Sequence, residues 1–117
     1  MLSEQEVEAL FWMRDCITLA TEWTRDIDVE TFSEDRKTFF ATTRALEIIS
    51  EASRRLTAQT TARHPAYDWR RMRDAGNFYR HVYDSVLERY VYETAREALP
   101  ALLMIVETEL RSAGEMR

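Results

Sequence analysis

The sequence predicts an all-α protein: an antiparallel four-helix, up-and-down bundle in which one helix is kinked or split. Three observations lead to this class. The 117 residues are 45% hydrophobic and 32% charged, and only two glycines and two prolines are present for the tight turns of a β fold. Apolar residues recur at helical spacing over four long stretches. The length suits one domain, which we expect over residues 1–113, with a frayed tail over 114–117.

The first predicted helix begins at a capping box, in which the side chains of Ser3 and Glu6 each bind the other residue's backbone amide. One apolar stripe then follows at helical spacing and fits the core. A second stripe lies beside the first. It faces a neighbouring helix or a second chain, or it widens the core face of one buried helix. The first stripe is Val7, Leu10, Phe11, Ile17 and Ala20, and the second is Trp12, Cys16, Leu19 and Trp23.

The second predicted helix follows a connection over residues 25–32 that lacks helical periodicity. It runs from about Ser33 to about Ala62, and its length is compatible with a kink. Because Pro65 disfavours α geometry at His64, the helix is expected to end just before this pair. Its inward side carries Phe39, Thr42, Leu46, Ile49, Ser53 and Leu56.

The third and fourth helices complete the predicted bundle. Asp68 is a suitable N-cap for a third helix over residues 69–83. The last helix spans residues 86–111, with a kink expected at Pro100. Its inward side carries Leu87, Tyr90, Val91, Thr94, Ala98, Leu102 and Ile105.

Charge and cysteine content exclude several classes of protein. The net charge of −5 disfavours a protein that simply coats nucleic acid, but residues 63–81 carry five Arg against two Asp and could still attract a polyanion. The single Cys16 excludes an intramolecular disulfide, and we expect it to be an inert core residue. No leader-like segment and no apolar run of membrane-spanning length is present, so we expect a cytoplasmic protein without membrane contact.

Candidate catalytic residues concentrate on the third helix. The sequence lacks Glu-x-x-His pairs, a phosphate-binding glycine loop and a Cys/His cluster, so we expect neither a metal nor a cofactor. Helical spacing places Arg73, Asn77 and His81 on one stripe, and Arg80 directly precedes the histidine. An imidazole beside guanidinium and carboxamide groups can move a ribose proton while the cation holds the phosphate. The alternative is a partly exposed structural histidine.

Several motifs in order along the chain resemble one family. They are Asp35-Arg36, the run over residues 46–56, His64-Pro65, Trp69, the segment from Asn77 to Tyr83, and Leu99-Pro100-Ala101-Leu102. On these motifs the sequence resembles the HepT-like toxins of the HEPN superfamily. The resemblance implies a HEPN-like helical bundle and, as partner, a minimal nucleotidyltransferase antitoxin.

The family's signature is Arg-Asn followed after a few residues by His-x-Tyr. In the family, the Arg and the His are the ribonuclease residues, and the antitoxin attaches AMP to the Tyr. Asn77, His81 and Tyr83 match this signature, but Gly76 stands at the position of its arginine. Arg80, directly before His81, or Arg73, one turn before Asn77, could supply this cation from a different direction.

Two functions follow as expectations from this resemblance. The first is a homodimeric, metal-independent endoribonuclease toxin that cleaves RNA by attack of the 2′-hydroxyl and is neutralised by nucleotidylation of Tyr83. The alternative is a non-catalytic HEPN partner that binds a nucleotidyltransferase as its substrate or regulator. Gly76 favours the alternative.

Overall fold

The computed structural model describes residues 1–79 and 85–115, and within these ranges the chain is helical with no strand. The predicted all-α class is confirmed. The first, second and third predicted helices correspond to α1, α3 and α5, and the last one to the pair α6 and α7. In chain order the helices are α1 (Glu4–Thr24), α2 (Val29–Glu34), α3 (Arg36–Ser53), α4 (Ala58–Ala62), α5 (Trp69–Tyr79), α6 (Ser85–Glu97) and α7 (Leu99–Ser112).

One apolar core holds these helices together. Helix α1 packs against α3 on one side and against α6 and α7 on the other, and α3 also packs against α5. None of the helices in the described ranges has the length and apolar character needed to cross a membrane. The largest fully buried side chains are Phe32, Leu10, Met13, Ile17, Leu46, Ile49, Met72, Leu99, Leu102, Leu110, Val91 and Val106.

Helix α1 begins as predicted and presents both predicted stripes. The Glu6 amide donates to Ser3 Oγ at 3.1 Å, and the Ser3 amide donates to Glu6 Oε1 at 3.2 Å, which confirms the capping box. Cys16 is buried, and burial raises the pKa of its thiol. The rest of the second stripe reaches solvent: the exposed fractions are 52% for Trp12, 43% for Leu19 and 37% for Trp23.

The second predicted helix is not continuous. The connection contains α2, whose N-cap is Asp28, and Asp35 then caps α3 by accepting a hydrogen bond from the Thr38 amide at 3.1 Å. Helix α3 ends at Ser53, and Thr57 caps the separate α4. Each break therefore lies beside a side-chain oxygen that competes with helix propagation for backbone amides. The predicted inward residues of this segment, from Phe39 to Leu56, are nevertheless buried.

The last predicted helix divides at Ala98, two residues before Pro100, which occupies the first turn of α7. The residues Leu99 and Val106 are fully buried, whereas Ala98 and Ile105, which were predicted inward, are only partly buried. The other inward residues are buried as predicted at Leu87, Val91, Thr94 and Leu102. Beyond α7, Gly114 has a φ of 76°. Its amide and that of Glu115 donate to the carbonyls of Arg111 and Leu110 at 3.0 and 2.9 Å, which is a Schellman cap.

Candidate functional site

Two of the predicted site residues lie on α5 and can be placed. Asp68 accepts a hydrogen bond from the Arg71 amide at 3.0 Å, which confirms it as the N-cap of this helix. Arg73 is half-buried and Asn77 is exposed one turn further along. Arg80, His81 and Tyr83 lie outside the described residues. The described part of the site therefore consists of Gly76, which stands at the position of the signature arginine, the signature residue Asn77, and the residues that face them from other helices.

Helices α3 and α5 approach each other closely at Gly76. The Ser50 hydroxyl, on a side chain only 1% exposed, accepts a hydrogen bond from the Gly76 amide at 3.1 Å and donates one to the Arg73 carbonyl at 2.9 Å. A Cβ atom at position 76 would lie 3.1 Å from Ser50 Oγ. The glycine therefore lets the Ser50 hydroxyl reach the α5 backbone.

Arg54, the C-cap residue of α3, binds the same carbonyl. Its Nε and Nη2 donate to the Arg73 oxygen at 3.1 and 2.6 Å. One carbonyl of α5 thus accepts hydrogen bonds from two side chains of α3, which fixes the position of the Arg54 guanidinium relative to Gly76 and Asn77. Sequence reasoning missed Ser50 and Arg54 as site residues, although both belong to the run over residues 46–56.

A polar groove of about 390 Å³ opens beside this contact. Two of its lining side chains form an ion pair, in which Arg44 Nη1 lies 3.8 Å from Glu47 Oε1. The groove therefore contains the Asn77 amide together with the guanidinium groups of Arg44 and Arg54. Arg73 contributes its backbone carbonyl nearby, but it is not among the described lining residues. The lining consists of Arg44, Glu47, Ser50, Glu51, Arg54, Gly76 and Asn77.

A second polar cluster, at the end of the bundle, ties α4 to α1. Glu6 is 2% exposed, and its Oε2 accepts hydrogen bonds from the Thr57 amide at 3.0 Å, the Thr57 hydroxyl at 3.1 Å and the Thr60 hydroxyl at 2.5 Å. Burial alone would raise the pKa of Glu6, but the hydrogen bonds from Thr60, Thr57 and Ser3 outweigh it and lower the pKa to about 2. Glu6 therefore has a second role that the capping box did not predict.

Glu109 of α7 extends this cluster. It accepts two hydrogen bonds from Arg63, at 2.7 and 3.1 Å, and lies 2.6 Å from His64 Nε2. The hydrogen bonds from Arg63, and less strongly the one from His64, lower the pKa of Glu109 against the effect of burial. A sequence signal for this pair was available, because Glu109 lies seven residues after Leu102 and therefore on the predicted inward side of the last helix. This cluster is internally paired, which is typical of a structural ion-pair network.

The fold and the groove define a small helical-bundle protein with a polar site between two packed helices, beside Gly76 and Asn77. The family model described as "Ribonuclease HepT-like" matches residues 13–109. The chain belongs to the HepT-like ribonuclease family, as the sequence motifs predicted.

Two curated relatives agree with this assignment. The chain is 40% identical over 88 residues to the "Probable ribonuclease HepT" of Thermococcus cleftensis, a match that covers 75% of this chain and 80% of the relative. It is 29% identical over 107 residues to the "Putative RNase MJ1380" of Methanocaldococcus jannaschii, covering 91% of this chain and 98% of the relative. Comparison with the solved structures gave no significant match.

Proposed function

We propose that this protein is an endoribonuclease toxin that needs no metal ion and whose general acid–base residue is His81. The observation that carries the proposal is the family match over residues 13–109, together with relatives whose names describe ribonucleases. The position of Asn77 in a groove lined by guanidinium groups supports it, because such groups stabilise the charge that develops on a phosphate.

The proposed reaction is an internal transesterification of RNA. The 2′-hydroxyl of a ribose loses its proton to His81 and attacks the adjacent phosphorus, so that a bond between O2′ and phosphorus forms and the bond to O5′ breaks. The departing O5′ takes up a proton from the imidazolium of His81, which returns this residue to its neutral form. The products are a 2′,3′-cyclic phosphate and a 5′-hydroxyl end. Asn77 orients the phosphate, and an arginine neutralises the developing charge.

Cleavage of labelled RNA by the purified protein tests this proposal directly. We expect RNA to be cut and the same sequence made as DNA to stay intact, since DNA lacks the 2′-hydroxyl nucleophile. The 3′ ends of the products should carry the cyclic phosphate. Cleavage of both polymers, or products with 3′-hydroxyl ends, would contradict the proposed chemistry.

The arginine that replaces the signature cation is predicted to be Arg80. A lysine keeps the charge but loses the planar fork that binds two phosphate oxygens. We expect Arg80→Lys to lower the cleavage rate by at least about tenfold, equivalent to roughly 1.4 kcal/mol. Arg73→Lys should have a smaller effect, since Arg73 lies two turns from His81 and is not among the described residues that line the groove.

Single-turnover cleavage rates of Arg80→Lys and Arg73→Lys test whether Arg80 is the cation. Gly76→Arg, which restores the signature arginine, is measured beside them. If Arg80→Lys is as active as wild type, the assignment of Arg80 is wrong. If wild type is inactive and Gly76→Arg gains activity, the site lacks its catalytic cation. The new side chain must displace Ser50 Oγ slightly, because its Cβ atom would lie 3.1 Å away.

We further propose that the functional unit is a homodimer in which the α1 face with Trp12, Leu19 and Trp23 is buried. Three large apolar side chains on one helix face, each exposed by more than a third, indicate an interaction surface. In the proposed two-fold symmetric dimer, the His81 residues of the two chains approach each other across the interface.

Light scattering tests the dimer across micromolar concentrations. We expect twice the chain mass for wild type and one chain mass for the double variant Trp12→Glu and Trp23→Glu, because a buried carboxylate opposes association. Met104→Glu is the matched control, since Met104 is 71% exposed but belongs to α7. A single chain mass for wild type at all concentrations would rule out the dimer.

The proposed partner is a minimal nucleotidyltransferase antitoxin that modifies Tyr83. An AMP group on this tyrosine, two residues from His81, would add negative charge at the site and repel the RNA backbone. The alternative, a non-catalytic partner of such an enzyme, is favoured by Gly76. Expression without the neighbouring genes separates the two: the toxin arrests growth in a manner that depends on His81, whereas the non-catalytic partner does not.

A further inference from the structure

The guanidinium of Arg54 presents an unoccupied edge to the groove beside Gly76. A guanidinium carries five N–H donors in one plane. In Arg54 the edge formed by Nε and Nη2 points at the Arg73 carbonyl, and within the described residues all its hydrogen bonds go to that oxygen. The side chain is otherwise exposed and lines the groove. The edge formed by Nη1 and the second Nη2 hydrogen therefore remains for a ligand.

Gly76 contributes no side chain to the groove that Arg54 lines. Gly76 and Asn77 form one wall of the groove, and Arg54 and Arg44 belong to the other. A Cβ atom at position 76 would lie 3.1 Å from Ser50 Oγ, so the glycine leaves that space to the Ser50 side chain of α3. The two hydrogen bonds to the Arg73 carbonyl hold the Arg54 side chain in place before a ligand binds. The side chain therefore loses little conformational freedom on binding.

We propose that Arg54 is a phosphate-binding residue for the RNA substrate, in the groove left open at Gly76. This inference rests on the proposed ribonuclease function. The free edge matches the spacing of two phosphate oxygens, and the Asn77 amide lies in the same groove to donate a further hydrogen bond.

The carboxylates of the groove disfavour a lone phosphate ion as its ligand. Glu47 is paired with Arg44, but Glu51 is exposed and opposes an anion. A single inorganic phosphate therefore gains little in this groove. A single strand with several phosphates gains contacts with other cations at the same time, so the strand binds where one ion does not.

The test is binding of an uncleavable single strand, an RNA oligonucleotide with 2′-O-methyl groups, followed by fluorescence anisotropy at several salt concentrations. We expect Arg54→Gln to weaken binding about tenfold and to reduce the slope of log affinity against log salt by about 0.7, the value for one lost phosphate contact on a single strand. The glutamine amide can still donate to the Arg73 carbonyl. A merely structural Arg54 would change the melting temperature and leave the salt slope unchanged.

Arg55→Gln is the matched control, because Arg55 is the adjacent exposed arginine and lines a different groove with Trp12. We expect it to change affinity by less than about twofold. Arg54→Lys serves as a second variant. We expect it to retain the salt slope, because the charge is kept, and to lower the affinity, because lysine lacks the planar guanidinium that binds two phosphate oxygens.

Wild-type affinity and salt slope in Arg54→Gln would overturn the inference, as would an equal loss in Arg55→Gln. Cleavage of unmodified RNA by wild type is measured separately. If wild type cleaves and Arg54→Gln binds normally, the proposed function stands and only the role of Arg54 fails. If wild type neither binds the oligonucleotide nor cleaves RNA, both fail.

Discussion

Replacement of His81 by alanine is expected to lower RNA cleavage at least about a hundredfold, because general acid–base transfer by a positioned imidazole contributes a factor of this order or more. EDTA is expected to leave wild-type cleavage unchanged, since the proposed reaction uses only side chains. Single-turnover rates with and without EDTA measure both effects. Metal-dependent cleavage, or full activity in His81→Ala, would support the non-catalytic alternative.

The chain offers a matched control for this variant, because His64 is its other histidine. His64 Nε2 lies 2.6 Å from the buried Glu109, so His64→Ala removes a structural hydrogen bond. We expect it to lower the melting temperature and to leave the rate per folded molecule unchanged. The opposite pattern is expected for His81→Ala. Equal losses of activity in the two variants would show that stability, and not chemistry, explains the effect.

Local signals predicted most of the fold. Ser3 and Asp68 cap their helices as expected, and the inward residues of α3 follow helical periodicity. The break before α4 was not predictable in this way. The Glu6 carboxylate accepts a hydrogen bond from the Thr57 amide, which lies 51 positions further along the chain. A carboxylate of α1 therefore stabilises the start of α4. The helix propensities of the residues in this segment carry no information about that contact.

The sequence predicted only those residues of the candidate site that lie on a single helix, α5. Asn77 and the departure at Gly76 follow from the signature, whereas Ser50 and Arg54 enter the site because α3 crosses α5 at the glycine. A Cβ atom at position 76 would lie 3.1 Å from Ser50 Oγ, so the contact of Ser50 with the α5 backbone depends on a residue that belongs to another helix. The positions of Arg80, His81 and Tyr83 lie outside the described residues and stay predictions.

Replacement of Glu6 by glutamine is expected to destabilise the protein by about 3 kcal/mol at pH 7. The pKa of Glu6 is lowered from 4.5 to about 2 in the folded state, and each pKa unit corresponds to roughly 1.4 kcal/mol. As the pH falls below 4.5, the unfolded chain binds a proton at this position before the folded chain does. The contribution of Glu6 is therefore complete above pH 4.5 and is lost as the pH falls toward 2.

Denaturant unfolding at a series of pH values measures this effect. The difference in free energy of unfolding between wild type and Glu6→Gln should be constant above pH 4.5 and shrink as the pH falls toward 2, because the protonated carboxyl resembles the amide. Glu8→Gln is the control: this carboxylate lies two residues further along α1 and is exposed, so its effect should stay within about half a kcal/mol. A destabilisation by Glu6→Gln that is the same at every pH would show that the glutamine disturbs packing, and that the hydrogen-bonded carboxylate charge does not stabilise the contact between α1 and α4.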